Sequence, residues 1–320
     1  MATLRCAVLD DYQDAARERA DWARLAGRAD VRFLHRHLVA HDELVAELGD
    51  CEIVVVMRER TPFPAELIAR LPKLRLLITS GRRNASIDLA AAAAQGVTVC
   101  GTPGNSEPPA ELTWALILGL ARGVVTENDN LRTGGPWQST LGADLHGRRL
   151  GLLGLGKIGA RVARVGAAFG MEVAAWSQNL SEERAAEAGA LLATSKEELL
   201  ETSDFVSVHL VLSERTRGLV GADDLRRMRR TAYLVNTSRA AIVDQDALVR
   251  ALNEGWIAGA GSDVFTTEPL PLDHPLRTAP RFLGLPHLGY VTARNYAAFF
   301  EGAVEDIEAY LAGSPIRTLG

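Results

Sequence analysis

Along the first hundred residues, short apolar runs alternate with segments whose apolar positions recur every three to four residues. Residues 5–9, 31–34, 53–57, 74–79 and 97–100 read as strands. Residues 14–26, 43–48, 65–71 and 87–95 read as helices between them. Strict strand and helix alternation implies a parallel sheet covered by helices. The five alanines at 90–94 are strong helix formers in a tightly packed helix rather than a low-complexity tract. The rhythm begins again at residue 150, with strands expected at 150–153, 172–176, 205–209, 233–236, 259–264 and 281–285. Long apolar helical patterns at 111–132 and 293–311 flank this second stretch, so the chain is expected to leave its first domain, build a second and return.

One turn in the second stretch carries chemistry. Gly154-Leu155-Gly156-Lys157-Ile158-Gly159 follows the apolar run 150–153 and precedes the helical segment 160–165. A glycine-rich turn between a buried strand and a helix presents backbone N–H groups and a helix N-terminus to a dinucleotide pyrophosphate, which points to a nicotinamide cofactor. The expected fold is therefore α/β with two doubly wound parallel-sheet domains. A Rossmann cofactor domain over 101–288 is inserted into a flavodoxin-like substrate domain made of 1–100 and 289–320. Hinges are expected near Thr102-Pro103-Gly104 and Leu288-Gly289, with domain closure over a ligand.

Composition narrows the partners. The 320 residues are 47% hydrophobic and 23% charged, as in a globular protein with room for two cores. The net charge of -5 offers no electrostatic reason to bind nucleic acid or an anionic membrane, which leaves a small molecule. Arg226, Arg227, Arg229 and Arg230 sit at helical spacing beside Asp223 and Asp224 and read as a solvated helix face. Cys6, Cys51 and Cys100 are odd in number, widely spaced and embedded in apolar runs, so buried thiols in a reducing compartment fit better than disulfides or a metal site. With no signal-peptide pattern after Met1 and no apolar run of membrane-spanning length, a cytoplasmic location is expected.

In open parallel sheets ligands bind beyond the carboxyl ends of the strands. Arg239 follows the strand 233–236, Glu268 follows 259–264 and His287 follows 281–285. Each alone has a structural explanation as a turn arginine, a loop glutamate before Pro269 or a strand-capping histidine. Together they supply an anion binder, a carboxylate and an imidazole, the groups that carbonyl reduction by hydride requires. On the stretches 150–159, Val235-Asn236-Thr237-Ser238-Arg239, 263–269 and Pro286-His287-Leu288-Gly289, the chain resembles the NAD-dependent D-2-hydroxyacid dehydrogenases over nearly its whole length.

That resemblance implies His287 as general acid in keto-acid reduction and base in the reverse direction. It implies Glu268 as the group stabilising the protonated imidazole, and Arg239 as the holder of the substrate carboxylate. It also implies cofactor contacts from Lys157, Ile158, Thr237, Ser238 and Arg239 and from Asp263 near the nicotinamide amide, although Asp263 could be a turn former. His209 lies near the cofactor phosphates or ribose, or is a structural histidine. A homodimer built through the cofactor domain is implied too, the apolar content of 112–120 being compatible with such a contact or with core packing.

The chain departs from the family in three places. Ser177, followed by Gln178, stands where NAD-specific members carry an acid for the ribose hydroxyls, with no adjacent arginine to attract a 2′-phosphate; NAD or NADP remain open, NAD slightly favoured. In the substrate loop Ser80-Gly81-Arg82-Arg83, Arg83 replaces a usual glycine. The two arginines are either surface charges or recognise a second anionic group, which would favour a phosphorylated or dicarboxylic acid. Residues 105–109 read as a shortened loop before the long helix. A cofactor-sensing corepressor, a class that resembles the enzymes at Arg239, Glu268 and His287, is the competing reading. Formate dehydrogenase, with glutamine in place of Glu268, fits less well.

Overall fold

The computed structural model describes residues 3–320. Met1, at the start of the expected substrate domain and of the leader reading, and Ala2 lie outside them. The chain divides into two compact units, Met1–Asn105 with Val291–Gly320 and the intervening Ser106–Tyr290.

In the first unit the strands are β1 (Leu4–Val8), β2 (Ala29–Phe33), β3 (Ile53–Val56), β4 (Leu76–Thr79) and β5 (Thr98–Gly101), all parallel in the order β2-β1-β3-β4-β5. This is the flavodoxin-like order, whose crossover reverses between β1 and β3. Helices α1 (His41–Leu48), α2 (Ala65–Ala69) and α3 (Leu89–Ala94) connect the strands. Leu44, Leu67 and Ile68 from them bury against Val54, Val56 and Leu77. The expected helix over 14–26 does not form. Two short 3₁₀ turns, Ala16–Glu18 and Trp22–Leu25, take its place. Asp14 is left-handed at φ 49°, Asp21 leaves helical backbone at ψ 78°, and the Trp22 indole N–H donates to the Ala16 carbonyl at 2.8 Å, so a side chain claims an acceptor that a helix would have used.

The second unit begins with α4 (Glu107–Ala121). The expected loop at 105–109 is partly its first turn, because Pro108 and Pro109 fall where a helix has no N–H to lose. The single helix expected over 111–132 is broken at Gly123, which is left-handed at φ 59° and precedes α5 (Val124–Thr133). A Cβ at Gly123 would lie 2.7 Å from Thr140 Oγ1, and Ala143 N–H caps the Ala121 carbonyl at 2.7 Å, so the returning chain ends the helix. Trp114, Leu116 and Ile117 of α4 are buried in this unit's own core with Leu150, Val162 and Val235. Core packing accounts for those three residues, while Leu112, Leu118 and Leu120 of the same helix are half-buried.

Then follow β6 (Arg149–Leu153), α6 (Lys157–Ala168), β7 (Glu172–Trp176), α7 (Glu182–Glu187), the two-residue β8 (Leu191–Leu192) that the hydropathy pattern missed, α8 (Lys196–Thr202) and β9 (Phe205–Val208). The remainder is α9 (Ala222–Arg227), β10 (Tyr233–Asn236), α10 (Gln245–Asn253), β11 (Gly259–Ser262) and β12 (Phe282–Gly284). The parallel order is β12-β11-β10-β9-β6-β7-β8, a Rossmann sheet with one added strand, reversing direction between β6 and β9. The closing helix α11 (Ala293–Leu311) belongs to the first unit. Arg226 pairs with Asp223 and Arg227 with Glu201 on the solvated face of α9, whereas Arg229 and Arg230 fall beyond the helix end at Arg227, where Met228 turns extended, and Arg229 pairs with Asp204.

Candidate active site

The glycine turn leaves β6 at the point where strand order reverses. Gly154 is left-handed at φ 100°, and a Cβ there would sit 2.8 Å from the His209 carbonyl oxygen at the end of β9. Gly156 caps α6 and faces open space, and a Cβ at Gly159 would lie 2.4 Å from the Gly154 carbonyl oxygen. The three glycines thus make the turn, expose backbone to a ligand and let helix and strand approach. Lys157 is exposed and Ile158 half-buried against the core. The first N–H groups of the twelve-residue α6 have no intrahelical acceptor, so the donors present fit a dinucleotide pyrophosphate. Half-buried Ser177 and exposed Gln178 directly follow β7.

His209 backs this turn. Its N–H donates to Leu153 O at 2.8 Å and its Nε2 meets Ser207 Oγ at 2.9 Å, while burial pushes its pKa down to about 4, leaving a neutral imidazole.

Beyond β10, Asn236 organises the next loop. Its Oδ1 accepts from Ser238 N–H at 3.0 Å and its Nδ2 donates to Arg239 O at 3.1 Å. Ser238 Oγ donates to Leu210 O, Thr237 Oγ1 lies 2.8 Å from Thr113 Oγ1 of α4, and Arg239 Nη1 donates to Ser238 O at 2.8 Å. Neither Asn236 nor Thr113 stood out in the sequence, since a strand-end amide and a helix threonine have no pattern of their own.

Glu268 and His287 meet. His287 Nδ1 lies 2.6 Å from Glu268 Oε2, and Glu268 Oε1 accepts from Phe265 N–H at 2.8 Å, which fixes the carboxylate. The Tyr290 ring stands edge-on to the imidazole at 5.4 Å between centroids. His287 is left-handed at φ 53°, a strained position for a residue with a Cβ. Fully buried Asp263 holds it there, accepting from Leu288 N–H at 2.6 Å and Gly289 N–H at 2.8 Å. Burial raises the Asp263 carboxyl to about 6, against the pull of those N–H groups.

In the first unit, buried Ser80 accepts from Arg58 N–H at 2.8 Å through its hydroxyl. Gly81 is left-handed at φ 86° beneath the Arg58 guanidinium, and its N–H donates to Thr102 Oγ1 at 3.0 Å. Asn84 Nδ2 donates to Arg58 O and Thr79 Oγ1 at 2.7 and 2.9 Å, pinning the loop. Arg82 and Arg83 are exposed.

The fold and the glycine turn define a dinucleotide-binding protein, and comparison with known proteins states its family. Residues 114–289 match the family model described as D-isomer specific 2-hydroxyacid dehydrogenase, NAD binding domain. A glyoxylate reductase of Aeropyrum pernix is 41% identical over 257 residues, covering 78% of this chain and 76% of that one. Human D-3-phosphoglycerate dehydrogenase is 36% identical over 265 residues, covering 82% of this chain but 49% of the relative, so the chain spans about half the length of that protein. The crystal structure of a phosphoglycerate oxidoreductase from Vibrio cholerae superposes with a TM-score of 0.93 at 36% identity, covering 98% of this chain and 100% of that one. The chain belongs to the D-2-hydroxyacid dehydrogenase family. It is an NAD(P)-dependent oxidoreductase acting on a small hydroxy or keto acid. Among the described residues no helix is long and apolar enough to cross a membrane.

Proposed function

We infer that the Ser106–Tyr290 unit holds the cofactor and the acid/base machinery for interconverting a D-2-hydroxy acid and its 2-keto acid, and that the other unit recognises the substrate. The observation that carries this reading is the 2.6 Å contact between His287 Nδ1 and Glu268 Oε2. A carboxylate on Nδ1 stabilises the imidazolium and leaves Nε2 as the atom that gives a proton to the carbonyl oxygen in reduction and takes it back in oxidation. Arg239 binds the substrate carboxylate and polarises the carbonyl.

When bound, the dinucleotide supplies or accepts the hydride. Gly154, Gly156, Lys157, Ile158 and Gly159 hold its phosphates, with His209 behind them. Thr237, Ser238 and Asp263 border the nicotinamide, and Ser177 and Gln178 border the adenosine ribose. Serine in place of an acid at 177 neither repels nor captures a 2′-phosphate, so both cofactors are used with NAD slightly preferred. Ser80, Gly81, Arg82 and Arg83 form the substrate loop, and the exposed arginines favour a phosphorylated or dicarboxylic keto acid. Exposed Val124, Val125, Leu131, Trp137 and Leu141 supply an apolar surface for a homodimer. Three free, buried cysteines suit a reducing cytoplasm.

The test is a panel of glyoxylate, hydroxypyruvate, pyruvate, phosphohydroxypyruvate and 2-ketoglutarate with NADH and NADPH, followed by absorbance. Oxidation of the cofactor by at least one acid is expected, fastest with a doubly anionic one. Cofactor binding without turnover across the panel would instead establish a sensor.

A further inference from the structure

The segment after α11 does more than end the first unit. Arg317, Thr318 and Leu319 pair antiparallel with β5, through Gly101 N–H to Arg317 O at 3.0 Å and Leu319 N–H to Val99 O at 2.8 Å. This covers the open edge of a strand whose other neighbour is β4. Arg317 is left-handed at φ 53°, and its guanidinium is spent on α11: Nε to Asp306 Oδ1 at 2.9 Å, Nη1 to Glu305 Oε2 at 2.7 Å and Nη2 to Gly302 O at 2.8 Å. Asp306 is fully buried, so that cation is its compensation.

The strand so clamped lies directly under the substrate loop. A Cβ on Gly101 would stand 2.7 Å from the Gly81 carbonyl oxygen, 3.2 Å from Arg82 Cα and 3.2 Å from Leu319 Cδ1, so Gly101 is pressed between the loop backbone and the leucine. The next residue, Thr102, accepts the Gly81 N–H. Gly302, whose carbonyl Arg317 grips, packs against Thr102 and Pro103, where a Cβ would meet Pro103 Cδ at 2.7 Å. The chain of contacts runs from Arg317 and Leu319 through Gly101 and Thr102 to Gly81 and Arg82 without leaving this unit.

We propose that Arg317 and Leu319 are positioning residues for the reaction: the 317–319 strap fixes the floor on which the loop Ser80–Arg83 stands, and through it sets substrate affinity. This rests on the reading that the loop receives the substrate. Displacing a binding group by about 1 Å costs up to a hundredfold, so loosening the floor is expected to raise the keto-acid KM roughly tenfold. The dinucleotide KM should stay within about twofold, because none of these residues lies in the unit assigned to the cofactor.

The test uses the full chain carrying Leu319→Ala, Arg317→Ala or the paired Arg317→Met with Asp306→Asn. The pair keeps the test sound if loss of the cation alone unfolds the protein. Leu319→Met serves as the conservative rescue, and Gly81→Ala probes the loop directly. Two quantities are read: KM for each substrate, and hydrogen exchange of the Gly81 amide, which donates to Thr102. Faster Gly81 exchange, a raised keto-acid KM and recovery in Leu319→Met are expected. Unchanged exchange at Gly81 in folded strap variants, or equal rises in both KM values, overturns the strap. Faster exchange with an unchanged keto-acid KM, in these variants and in Gly81→Ala alike, shows instead that the loop does not bind substrate, and the strap's part in the reaction falls with it.

Discussion

Two loops, each following a parallel strand and each carrying a left-handed glycine, present different chemistry outward. After β6, Gly154 turns the chain straight into the twelve-residue α6, and Gly156 opens on free space, so that turn presents backbone N–H groups. After β4, Gly81 is covered by the Arg58 guanidinium, its N–H is taken by Thr102, and no helix begins until Leu89. What that loop offers outward is the pair of exposed arginines Arg82 and Arg83. Backbone donors tolerate almost no substitution, whereas side chains on a pinned backbone can be exchanged, so under the proposed function the second loop is the one whose residues could change the acid accepted.

The contrast orders the expected effects. The largest belongs to the group that the cofactor unit holds in a strained backbone. His287→Ala should lower turnover about a hundred- to ten-thousandfold, in line with loss of general acid catalysis, while dinucleotide affinity measured by calorimetry stays close to that of the parent. Near-parental turnover would remove the imidazole from the chemistry.

Gly159→Val comes next. Its branched Cβ would be forced against the Gly154 carbonyl, and dinucleotide affinity should fall by roughly tenfold or more with a loss of about 1–3 kcal/mol of stability. Unaltered binding of NADH would mean that the turn is only a turn. Arg83→Ala acts on the other loop and should change selectivity without touching the cofactor: the preference for doubly over singly anionic keto acids should drop several-fold, as for loss of one charge-assisted contact. If the ratio of the two KM values is the same in variant and parent, the arginine is a surface charge.

The smallest effect separates the loops by pH. His209 behind the glycine turn is held near a pKa of about 4 against an ordinary 6.5, because burial disfavours its charged form. Its contribution to stability is therefore complete above 6.5 and lost progressively as pH falls toward 4. His209→Gln should soften the drop in melting temperature between pH 7.5 and 5 by a few degrees. An identical drop in both proteins would mean that His209 is already well solvated.

Much of this was open to reading in the chain. The apolar runs become strands because a strand buried on both faces is predominantly apolar, and the turn 154–159 is legible because glycine suits a left-handed bend and leaves room for a close helix–strand contact. The residues Arg239, Glu268 and His287 stand out because each follows a strand. The mistaken helix over 14–26 has the apolar spacing of a helix, but Asp14 is left-handed and the Trp22 indole takes the Ala16 carbonyl, and a side chain–backbone competition leaves no periodic trace. The break at Gly123 was similarly hidden, since its cause lies in Thr140 and Ala143, nearly twenty residues on in the sequence.

The chain by itself determined the two parallel sheets, most of their strands and the chemical types at the strand ends, because local periodicity and backbone allowance act on neighbours in sequence. Only the tertiary structure decided that Glu268 grips His287 at 2.6 Å, that Asp263 secures the backbone beyond that histidine, and that Leu319 underlies the loop at Gly81. Those are meetings between strand ends and loops that the parallel sheets bring together across 19, 25 and more than 200 residues, and hydrogen bonds a few ångströms long report on distance in space alone.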